Sequence, residues 1–273
     1  MNNWTKISIA CGVALALAVG YCVIENNRLV VTNYNFESPK ITEGLNGAKI
    51  AHISDFHNAS FGARCAELIK AQSPDIIVIS GDFIDSRHTN INRAIDFAKE
   101  LVKIAPTYYC TGNHEHRFSQ EELESFILLL KNAGVKPLWN ETEVVDLKGE
   151  EIYLSGICDD MSEVEGRIDA LLSDKQDKLS LLISHRPELC EKYATAGADL
   201  TFTGHAHGGQ VQIPFVGGVL APNQGFFPKY TSGIHYFGEK ATVVSRGLGN
   251  SLCPVRINNP PEVVMITLRM PKK

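Results

Sequence analysis

Five short apolar runs in this chain each end in the same way, on a cluster of His, Asp or Asn. Residues 49–53 are followed by Asp55-Phe56-His57, and residues 75–79 by Gly81-Asp82 with Asp85. Residues 108–110 lead to Gly112-Asn113-His114-Glu115, residues 179–183 to Ser184-His185, and residues 200–202 to Gly204-His205-Ala206-His207. The runs read as strands, and DIIVI at 75–79 is continuously apolar, as a strand covered on both faces must be. Helical signals lie between them. Residues 63–71 and 187–196 read as helices, and Ile91, Ala94, Ile95, Ala98, Leu101 and Val102 follow an amphipathic helical spacing. Ser119 opens another helix, with Glu122 completing a capping box. Strand–helix alternation of this kind predicts an α/β domain. Ligands of open α/β sheets gather at the carboxyl ends of strands, so the clusters converge although up to about 150 residues separate them.

The remaining elements are less regular. Residues 29–36 read as a first strand and 41–47 as a turn-rich link. Residues 144–147 and 152–155, split by Lys148-Gly149-Glu150, predict a hairpin. Beyond Gly208 the expectation is strands at 210–213, 241–244 and 263–268. Residues 214–237 read as a long loop, and such loops often border sites. Its rings (Phe215, Phe226, Phe227, Tyr230, Tyr236, Phe237) either pack the loop against the domain, the simpler reading, or meet lipid.

Residues 7–24, ISIACGVALALAVGYCVI, carry no charge; Lys6 precedes them, and Glu25 and Arg28 follow. A run of this length crosses a bilayer, which needs ~20 apolar residues with flanking slack. A cleaved signal peptide is the competing reading. However, Ala14, Ala16 and Ala18 lie inside the apolar core, and Gly20-Tyr21-Cys22 makes a poor cleavage site. A membrane anchor at 1–28 and one domain at 29–273 are therefore expected. Lys6 and the terminal amine lean toward a cytoplasmic N-terminus and an extracytoplasmic domain.

The 273 residues carry a net charge of −5, so no basic surface invites a nucleic-acid backbone. The seven cysteines include no C-x-x-C pair, which argues against a cysteine zinc site and for free thiols. Of the nine His, five fall in the clusters (His57, His114, His185, His205, His207). Imidazole and carboxylate together favour Zn, Fe or Mn over Mg or Ca. In an extended D-x-H segment Asp55 and His57 point the same way, and the same spacing brings His205 and His207 to one site. Asp82 offers a carboxylate able to bridge two ions ~3.5–4 Å apart. Singly, each motif is as compatible with turns and caps; jointly, at successive strand ends, they are specific. His52, inside a strand, reads as structural, and His116 as a candidate substrate contact.

DFH, GDFID, GNHE, the His of ISHRPE, and GHAH match, in order, the five motifs of the calcineurin-like metallophosphoesterase superfamily, and the chain resembles it from about Lys49 to Leu268. GHAHGGQ, SRGLGN and PVRINNPPEVVMITL resemble its bacterial membrane-associated branch, some members of which hydrolyse UDP-2,3-diacylglucosamine or other phosphodiesters. The resemblance implies a four-layer αββα sandwich and two divalent ions (Mn, Zn or Fe). One would be held by Asp55, His57, Asp82 and His207, the other by Asp82, Asn113, His185 and His205. It further implies attack by a metal-bridging hydroxide, with His114 as general acid or charge stabiliser and Asp85 orienting its ring. One position departs from the pattern: where eukaryotic phosphatases of the superfamily carry Arg after the second Asp, this chain has Ser86. Arg87, Arg117, Arg186 and Arg246 are the candidates for holding phosphate.

The expected function is hydrolysis of a phosphodiester or pyrophosphate, membrane-linked or lipid-borne. A phosphomonoesterase with the same metals and a non-catalytic metal-dependent envelope-binding protein are the alternatives. The His114/Asp85 pair argues against a pure binder, which needs no acid.

Overall fold

Alternate residues of β3 (Ile76–Ser80) enter two different cores: Ile77 and Ile79 face one, and Ile76 and Val78 the other. That is why the strand reads as an unbroken apolar run. The computed structural model of the chain describes residues 2–160, 164–174, 177–250 and 255–271. Three parallel strands, β2 (Lys49–Ile53), β3 and β4 (Thr107–Cys110), form the centre of a six-stranded sheet that β5 (Lys136–Pro137) closes on one side. β1 (Val30–Glu37) and β16 (Glu262–Arg269) complete it, in the order β1-β16-β2-β3-β4-β5.

A second six-stranded sheet runs β14-β15-β9-β8-β7-β6. Its strands are β6 (Glu141–Leu147), β7 (Glu150–Gly156), β8 (Ser180–Ile183), β9 (Leu200–Thr203), β14 (Gly233–Phe237) and β15 (Lys240–Val244). β15, β9, β8 and β7 are parallel. The two sheets pack face to face through Ile50, Val78, Leu154, Leu181, Leu200 and Val243, among others. Helices α2 (Gly62–Gln72), α3 (Ile91–Val102) and α4 (Gln120–Asn132) cover the outer face of the first sheet through Ile69, Phe97, Leu101 and Phe126. α5 (Val164–Leu172) and α6 (Cys190–Ala196) cover the second through Ile168, Leu172 and Tyr193. The result is the four-layer αββα sandwich.

The capping box at Ser119 forms, with the Ser119 side chain and Glu122 bonding reciprocally. Cys65, Cys110, Cys158 and Cys190 are buried free thiols. His52 is buried, bonds Ser80 Oγ at 2.8 Å and meets the Phe202 ring edge-on. One expectation fails, and one helix goes unassigned. The 214–237 stretch is not wholly irregular: it holds β14, the two-residue ladder β12–β13 (Leu220–Ala221, Gly225–Phe226) and β11 (Gly217–Gly218), which pairs with β10 (Gln212–Ile213) just before it. β14 is a strand because β15 supplies its ladder, which local Gly-rich composition does not announce. α5, unassigned in the sequence, covers the second sheet with Val164, Ile168 and Leu172 at i, i+4 and i+8.

The N-terminal helix α1 (Asn3–Asn27) is long and apolar enough to cross a membrane, and none of its apolar window is buried against the domain.

Candidate metal centre

Every motif residue lies past the carboxyl end of a parallel strand: Asp55 and His57 after β2, Asp82 and Asp85 after β3, and Asn113 and His114 after β4. His185 follows β8, and His205 and His207 follow β9. Both sheets therefore deliver side chains to one edge of the sandwich. Small residues let them approach. A Cβ on Gly112 would lie 2.4 Å from Asp82 Oδ1, and one on Gly204 2.3 Å from Asp55 Oδ2. Any side chain at either position would push the ligands apart.

The backbone here is not extended, contrary to the D-x-H expectation. Asp55, His57, Asp82, His205 and His207 all have positive φ, between 44° and 62°. That conformation costs an L residue roughly 1–2 kcal/mol. Five such residues at one place mark stored strain that the surrounding packing sustains, as at functional sites generally.

The ligand atoms converge in two overlapping groups. His57 Nε2 lies 3.3 Å from His207 Nε2, and Asp55 Oδ1 lies 3.8 and 3.4 Å from these two nitrogens. On the other side, His185 Nε2 is 3.2 Å from Asp82 Oδ2, 3.2 Å from Asn113 Oδ1 and 3.1 Å from His205 Nδ1. Asp82 Oδ2 also lies 3.6 Å from His57 Nε2, so this carboxylate stands between the groups. All seven residues except Asn113 are buried. Buried imidazole and carboxylate donors converging at 3.1–3.8 Å fit two divalent cations. His185 Nδ1 donates to the Ser80 carbonyl at 2.7 Å, which fixes the ring and frees Nε2.

The electrostatics are those of ligands pressed together. Burial works against charge on His185, but the Asp82 and Asp55 carboxylates prevail and hold its pKa well above the usual imidazole range. Burial likewise disfavours the Asp82 anion, yet His185 and His57 hold its carboxyl well below the ordinary value. Burial pushes Asp55 up to about 6 and His57 down to about 4. Burial and neighbouring imidazoles hold His205 and His207 well below the usual range. Ligands must shed protons to bind metal. Metal uptake near neutrality is therefore expected to release the His185 proton. Affinity should weaken as pH falls through about 6, where Asp55 starts to bind a competing proton. Calorimetry in buffers of different ionisation enthalpy counts the protons, and an affinity independent of pH over that range would contradict this.

His114 sits against His57, ring centroids 4.6 Å apart. Its Nδ1 accepts the Ser86 backbone N–H at 3.1 Å, whereas Asp85 Oδ1 stands 3.9 Å away. The backbone of Ser86, more than the Asp85 carboxylate, sets this ring, and in the neutral form its proton lies on Nε2. Asp85 instead accepts the N–H groups of Arg87 and His88, at 2.7 and 3.2 Å, and its Oδ2 lies 3.7 Å from His57 Nδ1. Burial lowers the pKa of His114.

A cavity of about 340 Å³ opens onto Asp82, Asn113, His114, His205 and His207, with Arg117 and the apolar Leu220, Ala221 and Pro222 on its other walls. Of the four candidate arginines, Arg117 alone lines it. Arg186 is paired with Asp159 and Glu188, and Arg246 with Glu262. His116 faces away, bonded to Thr111 Oγ1 at 2.7 Å.

Three supporting residues were not singled out in the sequence. Glu115 is fully buried; its Oε1 accepts the N–H groups of Phe83 and Ile84, and its Oε2 those of Asp82 and Gly112. Asn259 donates to the His207 carbonyl at 2.7 Å. The buried Arg256 donates to the carbonyls of Arg246, Gly249 and Asn259, bracing the loop behind His57. Glu115 lies inside GNHE, and Arg256 and Asn259 lie inside the PVRINNPPEVVMITL segment, but no pattern there assigned them a role.

Fold and site together define a metal-dependent phosphoester hydrolase. The chain belongs to the calcineurin-like phosphoesterase family, whose pattern matches residues 48–209. Phosphodiesterase YaeI of Escherichia coli (strain K12) is 30% identical over 226 residues, 81% of this chain and 82% of that protein. The uncharacterized metallophosphoesterase YkuE of Bacillus subtilis (strain 168) is 29% identical over 256 residues, 90% and 87% of the two chains. A Bos taurus protein named as a transmembrane protein with metallophosphoesterase domain is 26% identical, over 79% of this chain and 55% of its own length.

Proposed function

We propose that the protein hydrolyses a phosphodiester or pyrophosphate borne by a membrane-linked substrate, with α1 as its anchor and the domain on the extracytoplasmic side. The observation that carries the chemistry is that Asp82 Oδ2 lies within 3.6 Å of His57 Nε2 and 3.2 Å of His185 Nε2, one from each group, beside one cavity. When bound, two divalent ions supply activated water near neutral pH and positive charge for the phosphoryl oxygens.

The chain's own residues do the rest. Asp55, His57, Asp82 and His207 form one ligand set, and Asp82, Asn113, His185 and His205 the other. Arg117, on the cavity wall, pairs with a non-bridging phosphoryl oxygen. With Nδ1 accepting the Ser86 N–H, neutral His114 keeps its proton on Nε2 and steadies charge on the leaving oxygen by a hydrogen bond. Leu220, Ala221 and Pro222 give an apolar leaving group a wall to lie on and exclude water there. The position that holds a fixed Arg in eukaryotic phosphatases is here Ser86, whose backbone is spent on His114. That favours a diester, with one charge fewer to neutralise than a monoester.

The metal-loaded full chain should hydrolyse bis-p-nitrophenyl phosphate with a higher kcat/KM than p-nitrophenyl phosphate. Preference for the monoester would move the assignment to a phosphomonoesterase. Inactivity on both at full metal occupancy would favour a binding protein.

A further inference from the structure

The only aromatic residues of α1 are Trp4 and Tyr21, about 25 Å apart along the helix axis. That span is close to the ~30 Å apolar thickness of a bilayer, at whose two boundaries Trp and Tyr concentrate. If α1 anchors the protein, as proposed above, Tyr21 marks the boundary on the side of the domain. The domain grips this residue. Tyr21 Oη lies 2.8 Å from Asn258 Oδ1 and accepts the Asn258 N–H at 3.1 Å. Asn258 Nδ2 in turn donates to the Gln212 carbonyl at 3.2 Å. Asn26 with Asn250, and Arg64 with the Asn27 carbonyl, tie down the end of the helix. The boundary plane therefore runs past Gln212.

The next four residues, Ile213, Pro214, Phe215 and Val216, turn from β10 into β11, beside Asn258. They are apolar and uncovered: Phe215 is 110% exposed, Val216 60% and Ile213 40%. Phe215 also has φ 67°, a conformation that disfavours a bulky side chain, where Gly or Asn would relieve the strain. A strained, fully exposed ring at a turn tip gains nothing from water. In the interfacial layer of a bilayer it gains burial.

We infer that the 213–216 turn is a second membrane contact, seated in the bilayer that α1 enters, so that the domain rests on the lipid at two points. The occupant is the lipid surface itself, because the turn is a projecting tip, level with Tyr21 and joined to it through Asn258. The apolar surface continues toward the site. Leu220, paired with Phe226 in the next ladder, is also part of the cavity wall, and Phe226 is 75% exposed. A lipid-borne phosphodiester thus reaches the ligands along this edge with its apolar part still at the interface.

The test uses the full chain carrying Trp4→Phe, Trp139→Phe and Phe215→Trp, which leaves one indole, at the turn. The chain is reconstituted into phosphatidylcholine/phosphatidylglycerol vesicles with acyl chains brominated near the headgroup, and flotation reports the anchor separately. The expected result is flotation with blue-shifted emission that loses about half its intensity to the brominated lipid, as for an interfacial ring. Flotation with water-like, unquenched emission overturns the turn contact and leaves the anchor standing. Failure to float overturns the anchor and this inference with it.

Discussion

Asp82→Asn is expected to lower kcat/KM on bis-p-nitrophenyl phosphate at least about 10³-fold, on the order of 4 kcal/mol of transition-state stabilisation. The change keeps the shape of the side chain and removes its charge. Oδ1 can still accept the His114 N–H, now 2.8 Å away. The Oδ2 position, 3.2 Å from His185 Nε2 and 3.6 Å from His57 Nε2, would then carry the amide NH₂, an uncharged donor facing both groups. Each group would lose an anionic donor able to hold a divalent ion, and with it charge to offset that of the two ions. Steady-state kinetics with measured metal content check this, and a loss below about tenfold with the fold intact would contradict the bridging role.

Glu115→Ala should act on stability first. Its two oxygens accept four backbone N–H groups, at 2.7–3.1 Å, from the loops that carry Asp82 and Asn113. Each buried donor left unpaired costs about 1–3 kcal/mol, and water entering the gap recovers part of it. A net loss of about 4 kcal/mol is expected from four donors so compensated. For a domain of this size that lowers Tm by roughly 8–16 °C. Glu115→Gln should fall between, because an amide keeps one acceptor oxygen and turns an NH₂ toward two donors. Thermal melts in detergent decide it, and an unchanged Tm for Glu115→Ala would remove Glu115 from the scaffold of the site.

The site was legible because its chemistry is of rare types in a repeated place. His and Asp after one strand mean little, but chance does not readily put them at five strand ends. Unbroken apolar runs marked the central strands of both sheets because β3 and its neighbours alternate between two cores. What stayed hidden depends on closure of the whole structure. The positive φ of Asp55, His57, Asp82, His205 and His207 does not show in the sequence, where D-x-H and H-x-H read as extended. The grip of Glu115 joins two loops that lie about 30 residues apart, and Arg256 braces carbonyls that become neighbours only on folding. β14 needed the ladder of β15. Ser86 showed as a departure from the family's pattern, while its hold on His114, through both the backbone N–H and Oγ at 3.1 Å, forms only when two loops 28 residues apart meet.

The most direct test is to strip the full chain of metal and titrate it with Mn²⁺ while recording electron paramagnetic resonance. Two equivalents should bind, and their spectrum should show exchange coupling between ions ~3.5–4 Å apart, the signature of a shared carboxylate. Binding of a single ion, or of two magnetically independent ions, would contradict a centre built on Asp82.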